Sequence, residues 1–175
     1  MHNVDPTRRQ SSDGTKVTIR ASENRGHPVA PGIDVLMVDR LVETFYSRIK
    51  DHPRLNALFN KGMTLSWPEH MERMKSFWRS VSMRTAEYDG RPVPIHMKLE
   101  GLAPDDFKTW LDIFRSTAQQ VCGKAAPEFI IRAERIAESL QMAVFLQGVI
   151  APPNAFDNGV MRQEIVDLAM VDKTD

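Results

Sequence analysis

Three features of the chain predict an all-α fold. Four long amphipathic stripes repeat with three- and four-residue spacing, a proline-rich break separates the second from the third, and no two-residue alternation persists long enough to build a sheet. The 175 residues fit one domain. With 42% hydrophobic and 26% charged residues, the chain has the composition of a globular protein able to close a core around a cofactor-sized pocket.

Residues 1–31 are rich in Ser, Thr, Asn, Arg, Gly and Pro, and read as a mostly disordered N-terminal extension, with docking onto the domain as the alternative. Within it, the run at 17–20 is too short and isolated to define a strand. The first helix is expected over about 33–50, with Val38, Leu41, Val42, Phe45 and Ile49 on one face. Tyr46 borders that stripe, and a hydroxyl turned inward needs a partner. Asp51-His52-Pro53 ends the helix, because proline disfavours helical geometry in the residue before it. Residues 55–59 read as a short apolar turn, open to a helical reading. Ser66-Trp67-Pro68-Glu69 then starts a helix, with serine as cap, proline in the first turn and glutamate completing a capping box. Its apolar face carries Trp67, Met71, Met74, Phe77, Trp78 and Val81, and His70 shares that face with Met74.

From Tyr88 to Gly101, two prolines and two glycines limit the chain to turns around a short helical piece near 95–99. Pro104 with Asp105 and Asp106 opens the third long helix, whose stripe is Phe107, Trp110, Leu111, Phe114, Ala118 and Val121, with Gly123 as its C-cap. Pro127 opens the fourth, with Phe129, Ile130, Ala133, Ile136, Ala137, Leu140 and Val144 facing inward, and Pro152-Pro153 stops it. Residues 151–175 form a C-terminal extension with one short helical stripe, Met161, Ile165, Leu168 and Ala169.

Composition removes several classes of function. The 23 basic and 23 acidic residues cancel, which argues against nucleic acid or an anionic membrane as main partner. Nothing reaches the roughly 18 apolar residues of a membrane span, and the N-terminus has no apolar signal-peptide core. A single cysteine, Cys122, forms no internal disulfide and suits a reducing cytoplasm. Late in an amphipathic helix, it reads as a small buried residue. There is no CxxC, no phosphate-binding glycine loop and no HEXXH.

Two histidines remain. His70 sits on an apolar helix face and His96 on a proline-limited turn beside Ile95, Met97 and Leu99. Imidazoles so placed could face each other across a flat apolar cofactor such as haem, which needs a hydrophobic slot, a nitrogen ligand below the iron and a polar group above it. Spacing alone leaves His96 equally readable as a surface or capping histidine, and His70 as a core-edge one. Tyr46 and Trp110 offer a phenol and an indole N–H as further polar groups, or simply pack in the core. Met74, Phe77 and Trp78 could line a porphyrin or fill the interior. Arg73, Arg91 and Lys98 are candidates for its carboxylates.

The ordered series Phe45-Tyr46, Trp67, His70, Phe77-Trp78, Tyr88-Asp89-Gly90-Arg91-Pro92, His96, Leu99, Trp110-Leu111, Phe114, Arg132-Ala133 and Ile136-Ala137-Glu138-Ser139-Leu140 resembles the truncated haemoglobins, specifically group III. The resemblance covers about residues 33–147. It implies a globin-like two-over-two helical sandwich in a domain over 32–150, holding haem b (iron protoporphyrin IX). It makes His96 the proximal iron ligand, Tyr46, His70 and Trp110 the distal trio, and Phe45, Met74, Phe77 and Trp78 the pocket wall. It further implies binding of O2, NO or CO, with nitric oxide dioxygenation or peroxide-linked redox chemistry as activities supplied by a reductase. A haem-based gas sensor acting through the terminal extensions is the alternative.

Overall fold

The computed structural model describes residues 8–10, 16–18, 26–146 and 152–171. Helix α1 spans Val35–Asp51 and buries Val38, Leu41, Val42, Phe45, Tyr46 and Ile49, the residues of the predicted stripe together with its neighbour Tyr46. Asp34 caps it, its Oδ1 accepting the Met37 amide at 2.7 Å. His52 ends α1 and begins α2 (Pro53–Gly62), where its Nδ1 accepts the Leu55 amide. The sequence reads a short apolar turn, open to a helical reading, over 55–59 only. The difference arises because Leu55, Leu58 and Phe59 face inward over ten residues, too short a stretch to show a full amphipathic repeat.

Helix α3 (Trp67–Met83) starts on the predicted capping box. The Glu69 carboxylate accepts from the Ser66 amide at 2.9 Å, and the Glu69 amide donates back to the Ser66 hydroxyl. A six-residue helix, α4 (Pro92–Met97), carries His96. Helix α5 runs Pro104–Cys122, followed by a 3₁₀ turn at Gly123–Ala125 and α6 over Ala126–Phe145. Helices α1 and α3 pack together, α5 and α6 pack together, and α1 crosses onto α5. This is the two-over-two sandwich. Phe45, Leu111, Phe114, Ala118, Phe129 and Ala133 fill its centre.

The termini depart from expectation in three ways. Strands β1 (Arg8–Gln10) and β2 (Lys16–Thr18) pair antiparallel within the N-terminal extension, where the sequence shows no strand. Such short strands are defined by their partner's hydrogen bonds rather than by alternation. The rest of the expected disorder, at 1–7, 11–15 and 19–25, lies outside the described residues. Residues 26–29 lie along the end of α3, with Gly26 and Val29 amides donating to the Arg84 and Ser82 carbonyls.

Second, α6 ends at Phe145, before Pro152-Pro153. The prolines instead open a turn in which the Ala155 amide donates to the Pro152 carbonyl.

Third, strands β3 (Phe156–Asp157) and β4 (Val160–Met161) form a hairpin ahead of α7 (Gln163–Val171). Asn158 and Gly159, at φ 49° and 79°, supply the two left-handed residues that a tight hairpin turn requires. Gln141, fully buried on α6, holds this hairpin: its side-chain amide donates to the Gly159 carbonyl at 3.1 Å and its oxygen accepts the Met161 amide at 2.8 Å. A β-carbon at Gly159 would lie 2.9 Å from Glu134 Cβ and 3.2 Å from its Cα. Gly159→Ala is therefore expected to cost about 1–2 kcal/mol from the left-handed backbone alone, with the Glu134 contact adding to it. Urea unfolding measures the loss, and a wild-type midpoint would show that the hairpin does not contribute to stability.

Candidate functional site

Between the two helix pairs lies a cavity of about 480 Å³, within the range of about 300–1,000 Å³ seen for cofactor and ligand sites. Its lining is mostly apolar. Leu55, Leu58 and Phe59 come from α2, Met74, Phe77 and Trp78 from α3, and Ile136 and Leu140 from α6. Four polar or ionisable groups singled out in the sequence reach the same space: Tyr46, His70, His96 and Trp110.

His96 owes its orientation to its own short helix. Its Nδ1 lies 2.8 Å from the Pro92 carbonyl oxygen, which can only accept. The proton therefore sits on Nδ1, and Nε2 keeps a lone pair on a residue that lines the cavity. This is how proteins prepare an imidazole as a metal ligand. Burial pushes the His96 pKa below its ordinary value, only partly offset by the Pro92 bond, so the ring is held neutral, the form that binds metal.

His70 stands at the centre of an aromatic cage. Tyr46, Trp67 and Phe59 present edges to it at centroid distances of 5.2, 5.8 and 6.0 Å. Its Nε2 is buried with no hydrogen-bond partner among the described residues. Burial, and then the Arg73 charge, lower its pKa. An orphaned nitrogen in a cavity wall is costly unless something occupies the cavity. Tyr46 is buried too. Desolvation, with Tyr88 adding to it, raises its pKa, so the phenol keeps its proton and remains a donor. Trp110 stacks on Phe114 at 5.5 Å and 12°.

One expected wall residue lies elsewhere. Phe45 is 1% exposed and absent from the cavity lining. It sits in the core behind the site, edge-on to Tyr46, Trp110 and Phe114 at 5.0–5.2 Å. Successive helix residues point about 100° apart, and on α1 Tyr46 takes the direction toward the cavity while Phe45 takes the one toward the core. It acts as a buttress.

Of the three basic candidates, Arg73 lines the cavity, 5.6 Å over the Tyr88 ring, and Arg91 and Lys98 do not. Tyr88 and the whole α2 wall were missed as site residues. The i, i+3, i+4 spacing of Leu55, Leu58 and Phe59 was the available signal. Cys122 is buried, its thiol pushed up to about 11 by desolvation, which leaves it inert as a nucleophile. Among the described residues no three His, Cys, Asp or Glu gather into a metal-binding cluster, and no helix is long and apolar enough to cross a membrane.

A helical sandwich of this topology, enclosing an apolar slot with one prepared imidazole, has the fold of a globin. No model of a known protein family matches the chain. A group 3 truncated haemoglobin of Campylobacter jejuni is 26% identical over 115 residues, spanning 63% of this chain and 91% of the relative. The crystal structure of a group III truncated haemoglobin from Campylobacter jejuni matches with a TM-score of 0.61 at 24% identity, covering 66% of this chain and 94% of that one. Within the globins, the chain thus resembles group III truncated haemoglobins in sequence and in fold, as its ordered motifs indicate.

Proposed function

We propose that the chain binds haem b in this cavity through His96 Nε2 and takes dioxygen or another diatomic gas on the side of Tyr46, His70 and Trp110. The observation that carries this reading is the pairing of His96 Nδ1 with the Pro92 carbonyl, which leaves Nε2 free in a slot that also holds the orphaned His70 Nε2. A lone imidazole donor suits a metal that brings its own ring of nitrogens. When bound, haem supplies an iron that exchanges diatomic ligands and single electrons. The α2 and α3 side chains exclude water, and Arg73, the one basic candidate in the lining, would meet a haem carboxylate. Titration of the purified chain with haemin tests the reading: saturation at one haem with a sharp visible spectrum supports it, and a colourless protein that takes up none removes it.

The phenol of Tyr46, kept protonated by burial, would donate a hydrogen bond to a gas molecule beside it, with the Trp110 indole N–H as a second donor. A single such bond contributes about 0.5–1.5 kcal/mol net, and more when the acceptor carries charge. Tyr46→Phe is accordingly expected to speed dioxygen release several-fold, read by stopped-flow spectroscopy. An unchanged rate would remove Tyr46 from this role.

The same donors suit conversion of nitric oxide to nitrate, in which NO, O2 and one electron give NO3⁻, the electron coming from a reductase; the polar trio would equally serve peroxide-linked chemistry. Catalytic nitrate formation separates that activity from simple binding. The free, buried thiol of Cys122 would suit a reducing compartment such as the cytoplasm. A second reading, a gas sensor, draws on the strap at 26–29 bonded to the end of α3, the helix that carries His70 and Phe77. Ligand-dependent protease protection of residues 1–31 would favour it.

A further inference from the structure

The short helix that bears His96 has little of its own to hold it in place. Helix α4 is six residues long, buries none of them fully, and has no side-chain N-cap. Pro92 and Pro94 also remove two backbone donors from it. It rests on α6. The chain leaving it is tied directly to the ligand residue, because the Leu99 amide donates to the His96 carbonyl at 3.1 Å.

That departing segment is clamped from α2. Arg54, on α2, forks onto Asp106, with Nε to Oδ1 and Nη2 to Oδ2 both at 2.8 Å. The same guanidinium donates to the Gly101 carbonyl. Asp106 is 6% exposed and also accepts the Ala103 amide at 2.9 Å. One arginine therefore fixes the turn at Gly101, held at φ 78°, and the first turn of α5. The next residue, Phe107, backs the His96 ring, 6.5 Å away between centroids and tilted by 31°. A second contact brings the same two elements together, since a β-carbon at Gly62, the last residue of α2, would lie 2.9 Å from Leu99 Cδ1.

We propose that Arg54, acting through Asp106 and the Gly101 carbonyl, is a positioning residue that sets where the His96 ring stands in the cavity. The proposal rests on the reading of His96 as the residue that holds iron. Its geometric content can be tested without haem. The planar fork of arginine makes both bonds to Asp106 while reaching Gly101, and lysine can place a charge there but no fork.

The experiment compares the full-length wild type with Arg54→Gln and Arg54→Lys by amide hydrogen exchange, before and after haemin loading. Arg54→Gln is expected to speed exchange at Lys98 and Leu99 by about tenfold or more while α1 and α3 amides stay near wild type, a local opening rather than global loss. Arg54→Lys should show a smaller increase at the same amides. In the haem-loaded ferrous protein, the iron–histidine stretching band should shift and broaden in the order wild type, Lys, Gln. If Arg54→Gln does not fold, Arg54→Lys decides. Wild-type exchange at Lys98 and Leu99, or acceleration spread evenly over all helices, would overturn the proposal. A wild type that takes up no haem would sink the functional reading instead, while the exchange comparison still decides whether Arg54 holds this segment.

Discussion

His96→Ala is expected to leave a folded chain that has lost its grip on haem. No α4 residue is fully buried, so truncating this side chain removes little from the core. The helix sandwich is held elsewhere, by α1, α3, α5 and α6. What disappears is the only imidazole among the described residues with a ring nitrogen already fixed by a backbone carbonyl. Disturbing the outer partners of a metal ligand typically costs about 10–100-fold in affinity, so removing the ligand itself should cost at least about 100-fold. Haemin titration followed at the main absorption band, with circular dichroism as the folding control, measures this. Added free imidazole should restore part of the ferrous spectrum in His96→Gly, because the missing group is then supplied from solution. His70→Ala is the contrast: it should retain haem and change only how gas ligands behave. If His96→Ala binds haemin as the wild type does, with an unchanged spectrum, another residue anchors the metal and the functional reading fails.

The parts of the molecule readable from sequence are those governed by neighbours a few residues away. The α1 stripe and the Ser66 capping box depend on spacing along one segment and are found where that spacing puts them, whereas the short helix around His96 lies at Pro92–Met97, three residues earlier than the expected 95–99, because prolines are tolerated in a helix's first turn. The proposed pairing of His70 with His96 is a different matter. Residue type and spacing left both histidines open to ordinary structural roles, and only the ordered resemblance chose between the readings. What sequence did not show depends on distant partners. Gln141 looks like a polar interruption of an apolar helix face until the hairpin some twenty residues on supplies its partners. Asp106 reads as one of two acids suited to a helix N-terminus, and nothing local says that Arg54 reaches it. Asn158-Gly159 is a recognisable turn pair, but flanking strands of two residues each carry no alternation to confirm it.

Trp78→Ala carries the largest expected cost in stability, and its effect should reach the distal side. Trp78 is 2% exposed and touches both the core and the cavity. Its indole stacks on Phe114 at 4.7 Å and 20°, and Trp110 stacks on Phe114 at 5.5 Å and 12°. Phe114 is thus held between two indoles, one structural and one a candidate donor to bound gas. Truncating a buried tryptophan to alanine costs about 3–5 kcal/mol, a large share of the roughly 5–15 kcal/mol that keeps a domain folded. Urea unfolding of the haem-free chain should show that loss. The second consequence follows from the shared ring: with Trp78 gone, Phe114 can move into the vacated space, and Trp110 loses the surface that orients it. Dioxygen release should then quicken in Trp78→Ala although Trp78 offers gas no donor this structure singles out, and Trp78→Phe, which keeps an aromatic face on Phe114, should recover most of both properties. Because the two indoles act through one ring, the effects of Trp78→Ala and Trp110→Ala on release should fall short of additive in the double variant. Strict additivity would mean that Phe114 transmits nothing between them, and that Trp110 is oriented by its other neighbours, Phe45 among them.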